Sequence, residues 1–344
     1  MTGAPARRRA TASVGWLLAL ACGCGCERAE DSGRRPAGPD AAARQPARLF
    51  AASGTRARPE VVLLDAGAGD LRPLRLRPEP GDEQTLVVNA ASAFSSTLAE
   101  VPGPTAEMPT TRRRVELVVE KVGPDGAIVL GMRAFALELH PREGETGSRE
   151  KLDRANRATA RALEGAHGEA LLHEQGFVLR VSLELPLAGD PAERVPEQEG
   201  ERFARQLQGS FLGALDGALP ALPEEPVGTG ARWAVTQQGE QDGKVTREEV
   251  EYEIVGLDDR RLDLAFRFVR SAPPQAIALP GGQQAQVLGL AGSGEGELHL
   301  DLARALPTAG RMSSTSTWEL ESRVEGEPRR MTTSEVTDLD FAAE

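Results

Sequence analysis

The sequence predicts a mainly β protein of the α+β class: a curved antiparallel sheet built from two β-rich halves, with two helices inserted between them. Three observations carry this. Apolar and polar residues alternate over most of residues 60–344, the two-residue period of a half-buried strand. Glycine, proline and aspartate interrupt that alternation at hairpin spacing, as in Gly123-Pro124-Asp125-Gly126. Only two stretches keep a helical period, both in the middle of the chain.

Residues 59–147 make the first half. Val61–Leu64 reads as a short strand closed by the turn segment Asp65–Gly69. Leu71–Arg77 alternates leucine with arginine, and Pro73 marks it as an edge. Pro80-Gly81-Asp82 leads into a strand over Glu83–Ala91, followed by the Pro/Gly-rich stretch Val101–Pro109. Arg112–Val122 turns at Gly123–Gly126 into Ala127–Leu139, a hairpin.

Residues 148–220 are the insert. Ser148 is the N-cap candidate of a helix with Leu152, Ala155, Thr159, Ala162 and Leu163 along one stripe. Glu169–Leu185 reads as a hairpin turning at Gln175-Gly176. The second helix starts near Pro196 and sets Phe203, Leu207, Phe211, Leu215 and Leu219 at four-residue steps. Gly209, Gly213 and Gly217 give it a flat side able to lie against a sheet, each at up to about 1 kcal/mol relative to alanine. Pro220, Pro223 and Pro226 end it.

The second half is 221–344. Gly228-Thr229-Gly230 leads into a strand over Trp233–Gln237, and Val245–Val255 turns at Gly256–Arg260 into Leu262–Arg270. Ala285–Leu290, Glu297–Leu302, Arg311–Val324 and Arg329–Leu339 complete it. Aligned on the turns, Val115-Glu116-Leu117 through Val129 lies over Val250-Glu251-Tyr252 through Leu264, a weak internal duplication.

The first twenty-six residues predict where the chain works. Arg7, Arg8 and Arg9 precede an apolar run, Ala12–Ala21, which ends in Cys22-Gly23-Cys24-Gly25-Cys26. That is the pattern of a secretory signal, and about ten apolar residues are too few to span a bilayer. Small residues lead directly into cysteine, so Cys22, or alternatively Cys24, is the expected site of lipid attachment. The stretch 27–58 is rich in Ala, Arg, Pro and Gly without periodic apolar residues. It reads as a disordered tether. No cysteine follows residue 26, so the folded body is expected to hold without disulfides.

The net charge is −12, which repels phosphate backbones and argues against a nucleic-acid partner. No cofactor, metal or catalytic set is expected. Gly289–Gly296 lacks the lysine of a phosphate loop, carrying Glu295 instead, and reads as a bulged or closely packed strand. His140, His167, His173 and His299 are the neutral-pH acid/base candidates, but none joins a ligand-spaced motif. Ser293 lacks the flanking glycine spacing of a nucleophile elbow, and Asp258-Asp259 sits where a turn is expected. Phe203, Leu207, Phe211 and Leu215 either form the core seam between helix and sheet or line a cavity able to hold an acyl chain.

The stretch Leu222-Pro223 … Pro226-Val227-Gly228-Thr229-Gly230-Ala231-Arg232-Trp233, with the later Gly292-x-Gly294, resembles a family of uncharacterised bacterial exported lipoproteins over roughly residues 70–340. That resemblance implies a two-segment β domain and no site residues. A more distant architectural likeness is to periplasmic lipoprotein carriers, whose curved sheet covers helices and binds acyl chains. The expectation is a non-enzymatic, membrane-anchored lipoprotein of the bacterial cell envelope, acting as a binding or interaction module; the alternative is a carrier with a cavity between sheet and helix. The expected partners are the membrane through the lipid anchor and a hydrophobic ligand or envelope protein.

Overall fold

In the structure, a computed structural model, the described residues are 48–55, 57–98, 101–142, 149–187, 197–241, 244–278, 284–324 and 327–343. Cys22, Cys24, the signal, Ser148 and Pro196 lie outside them, as do the side chains of residues 197–203, Phe203 included.

The chain is mainly antiparallel β with two helices among the described residues. Its elements are β1 (Arg48–Thr55), β2 (Glu60–Asp65), β3 (Ala68–Arg72), β4 (Glu83–Leu98), β5 (Val101–Pro102), β6 (Ala106–Glu107), β7 (Thr110–Val122) and β8 (Ala127–His140). Then come α1 (Arg149–Leu163), β9 (His167–His173), β10 (Val178–Leu187), α2 (Glu197–Ala218), β11 (Val227–Thr229), β12 (Arg232–Gln241) and β13 (Lys244–Leu257). The last are β14 (Arg261–Ala272), β15 (Gln275–Ala278), β16 (Gln284–Asp301), β17 (Ala309–Val324) and β18 (Glu327–Ala343).

The two predicted halves are one sheet, running β1-β10-β9-β8-β7-β4-β18-β17-β16-β14-β13-β12-β2. The last strand, β18, pairs along β4 from Met331↔Leu98 to Ala343↔Leu86 and so joins them. The hairpin of the insert, β9–β10, extends the same sheet beyond β8.

Curvature follows from what α2 touches. It contacts β1 and β10. Its Phe211 meets Phe135 of β8 edge-on at 6.5 Å, and a Cβ added at Gly217 would lie 3.9 Å from the Phe341 ring of β18. Asp216, near the end of α2, lines one narrow crevice with Val178 of β10 and Val235 of β12, strands ten steps apart along the path and about 48 Å apart in a flat sheet at the usual ~4.8 Å per strand. The sheet therefore curls around α2. Leu219, Val250 and Tyr252 line the same crevice.

Three sequence expectations are corrected. The tether expected through residue 58 contributes a strand, because Arg48–Thr55 pairs in full with Leu187–Arg180; residues 47–344 form one compact unit. Leu71–Arg77 is not one edge strand: β3 stops at Arg72, and Leu74 and Leu76 turn inward, 0% and 2% exposed. Their chain crosses the end of the sheet, Leu76 N–H donating to Glu174 O and Arg77 N–H to Leu302 O. The glycine side of α2 faces the sheet only in part: Gly213 is exposed while Gly217 lies near the Phe341 ring, and the buried face is made by Leu207, Phe211 and Leu215.

The glycine run packs closely, as expected. On β16, Gly294 and Gly296 oppose Phe268 and Phe266 of β14, and a Cβ on either glycine would come within 2.6 Å of a ring atom. The absence of a side chain makes room for two phenylalanine rings on the concave face.

The duplication is visible in the register. Val115↔Phe135, Leu117↔Met132 and Val119↔Leu130 in β7–β8 match Val250↔Phe268, Tyr252↔Phe266 and Ile254↔Leu264 in β13–β14. Both hairpins carry an extra residue at the next position, Glu120 and Val255. The preceding turns match too. Gly81 N–H donates to Val119 O and Gly230 N–H to Ile254 O, each glycine at positive φ (95° and 79°). The structural equivalent of Leu264 is Leu130, one residue on from the Val129 that sequence alignment places there.

Candidate functional site

The stripe on α2 builds the core. Leu207, Phe211 and Leu215 are 4%, 1% and 0% exposed and belong to one continuous apolar cluster with strands from both halves. The proline-glycine segment does likewise. Trp233 heads β12 fully buried, donates its Nε1–H to Ala221 O at 2.7 Å and stacks on Tyr252 at 5.4 Å.

The histidines are scattered. His140 pairs with Glu138 and His167 with Glu184. His173 stacks on Phe177 at 4.8 Å, and partial burial followed by the nearby Arg58 charge holds its pKa below the ordinary imidazole value. Ser293 sits on the outer face of β16 opposite Val269 and Thr315. Asp258 is a turn residue, accepting the N–H groups of Arg260 and Arg261. Among the described residues no three His, Cys, Asp or Glu side chains meet as a metal set.

His299 is different. A cleft of about 510 Å³ at one end of the sheet is lined by Asp258, Arg260, Arg261, His299, Asp301 and Thr308, with Leu300 and Ala309. Three local structures build it: the β13–β14 turn, the end of β16, and the loop that returns into β17. Asp263 and His299 are direct cross-strand partners on β14 and β16. Their Nδ1···Oδ1 distance is 2.7 Å, so an imidazole protonated at Nδ1 donates to Asp263, with Nε2 4.0 Å from Glu297 Oε1. Arg261 Nε–H donates to the same carboxylate oxygen at 3.0 Å. Arg260 donates through Nε and Nη2 to Asp301 at 3.1 and 2.9 Å, and Asp301 also accepts Ala303 N–H. The Thr308 hydroxyl donates to the His299 carbonyl at 2.9 Å.

Two carboxylates are thus held ionised. Partial burial alone would raise Asp263, but hydrogen bonds from His299 and Arg261 outweigh it and leave its pKa lowered. Burial likewise opposes, and Ala303 N–H and Arg260 overcome, in lowering Asp301. Each acid grips one edge of an arginine, since charge-assisted bonds are the strong ones. Among the described residues Nη1 of Arg260 and both Nη groups of Arg261 have no hydrogen-bond partner. The cleft therefore offers oriented N–H donors from two arginines beside His299. The sequence singled out His299 and the Asp258 turn but missed Asp263, Asp301 and Thr308. The only signal for Asp263 is strand register, which pairs residues 36 apart.

No helix among the described residues is long and apolar enough to cross a membrane. No protein-family model matches the chain, and no curated protein matches it either. Among solved structures, OccAB3 of Acinetobacter baumannii aligns at 7% identity over 76% of this chain and all of its own, with a TM-score of 0.18. The toluene transporter TodX of P. putida aligns at 8% identity over 77% and 90%, TM-score 0.17. OccK11 (OpdR) of Pseudomonas aeruginosa aligns at 9% identity over 79% and 100%, TM-score 0.16. Scores this low say nothing of the fold or the activity of this chain.

Proposed function

We propose that the chain is an exported, lipid-anchored envelope protein that acts as a non-enzymatic binding module, with Cys22 (or Cys24) acylated and the cleft beside His299 as its binding surface. The observation that carries the reading is the set of oriented, unclaimed donors on Arg260 and Arg261 next to His299. A carboxylate or phosphate group presented by a ligand or partner protein meets them without rearrangement, because Asp263 and Asp301 already hold the side chains in place. The close burial of Leu207, Phe211 and Leu215 supports a surface site over the alternative of an acyl-chain cavity beneath α2.

Two measurements test it. Metabolic labelling with a palmitate analogue is expected to mark the wild-type chain and to fail in Cys22→Ala or in Cys24→Ala. An unlabelled, uncleaved chain dissolved in cytosol overturns the anchor. Calorimetric titration with inorganic phosphate and with glutarate is expected to show binding that drops about tenfold or more in Arg260→Ala/Arg261→Ala, given 1.5–3 kcal/mol for hydrogen bonds to charged groups. Equal heats in both proteins overturn the cleft.

A further inference from the structure

Among the described residues Arg113 is a half-buried cation whose surroundings do not account for it. It lies on β7 between the outward-facing Arg112 and Arg114 and shares the concave face with Val115, Leu117 and Val119. Its cross-strand neighbours are Val88 on β4 and Leu137 on β8. Its Nε is buried without an acceptor, and among the described residues it has no ion pair or hydrogen bond.

The other sheltered arginines of this protein behave differently. Arg75, with a side chain 17% exposed, pairs with Glu174 at 3.2 Å and reaches the carbonyls of Leu74 and Pro223. Arg142, 25% exposed, pairs with Glu107 at 3.1 Å and donates to Met108 O and Ser92 O. Taking a guanidinium out of water without a counter-charge is costly, and burial alone drags the Arg113 pKa down with no carboxylate to oppose it. A buried polar group left unsatisfied in a folded protein calls for an explanation.

The surroundings suggest what completes it. Across the concave face from Arg113 lie Ala90 on β4, Leu339 on β18 and Met312 on β17, in register with one another. Leu137, Leu339 and Met312 are only partly buried against the core. A lone cation therefore stands at one end of an apolar strip that crosses four strands. We propose that this strip is a ligand trough whose occupant is a carboxylate-headed acyl chain, the head group on Arg113 and the tail over Ala90, Leu339 and Met312. The site shares no residue with the cleft beside His299, so either can fail without the other.

The test is a fluorescence titration of the full chain with cis-parinarate, its methyl ester and inorganic phosphate. Wild type is expected to bind the acid saturably and the ester at least about tenfold more weakly, since only the acid forms a charge-assisted pair. Arg113→Met is expected to fold with an unchanged or higher melting temperature, because it removes an unpaired charge, and to bind acid and ester with the same weak affinity. Arg113→Lys is the second variant and keeps the preference for the acid. The proposal fails if wild type binds acid and ester alike, if Arg113→Met binds the acid as wild type does, or if phosphate displaces parinarate, which would make this a small-anion site.

Discussion

A single methyl group placed on Gly294 would sit 2.6 Å from the Phe268 ring and 2.5 Å from Ser313 O, with ring and backbone both fixed by the sheet. Overpacking of this kind costs about 1–3 kcal/mol, so Gly294→Ala should lower the urea midpoint clearly. Gly292→Ala should do less, because its nearest obstacle is the Ser316 hydroxyl, which can rotate away. Asp263 supplies a pH prediction. Its carboxyl is held below the ordinary value by His299 and Arg261. Its contribution to stability is therefore complete above the unfolded-state pKa, near 4, and lost as pH falls through the lowered folded value. Urea midpoints of wild type and Asp263→Asn should differ most at neutral pH and converge as pH falls through the lowered folded value. A difference that grows in acid would contradict this sign.

Among the elements, the β8 edge shows how a helix substitutes for a strand. β9 covers β8 only from Ala127 to Met132, and beyond that β8 has no strand partner on that side among the described residues. Asn156 of α1 supplies the missing pair: its Oδ1 accepts Leu139 N–H at 2.8 Å and its Nδ2 donates to Leu139 O at 2.9 Å. Asn156→Ala removes both and is expected to cost about 1–3 kcal/mol, with faster hydrogen exchange at Leu139 as the local readout. The same edge explains why α1 was legible while its job was not. The stripe from Leu152 to Leu163 announces a helix, but nothing local says that a polar residue between them will complete a sheet. The strands read well for the converse reason. Alternation is local, and Val115, Leu117 and Val119 or Leu262 and Leu264 carry the pattern wherever their partners lie.

For the whole molecule, one core joins residues from Leu74 to Phe341, so the two halves should melt together. Trp fluorescence and far-UV circular dichroism are expected to give coincident urea transitions. Phe211→Ala, at the centre, should shift both by about 3–5 kcal/mol. Two separate transitions would mean that the halves are independent. What the sequence hid is mostly long-range. β1 pairs with β10 across more than a hundred residues, and its Ala51-Ala52-Ser53-Gly54 centre carries no alternation to betray it. The first and last long strands, β4 and β18, meet with no local signal at all. The cleft was half legible: His299 stood out as a rare residue, while Asp263 became its partner only through strand order.

β1 and β2 lie on opposite edges of the sheet, yet only residues 56–59 separate them. A pull on the chain ahead of Arg48 would first peel one rim away from β10, pair by pair, and then pass through that short joint to the other rim. In an optical trap held by its leading end, the molecule should give up both borders before its interior yields.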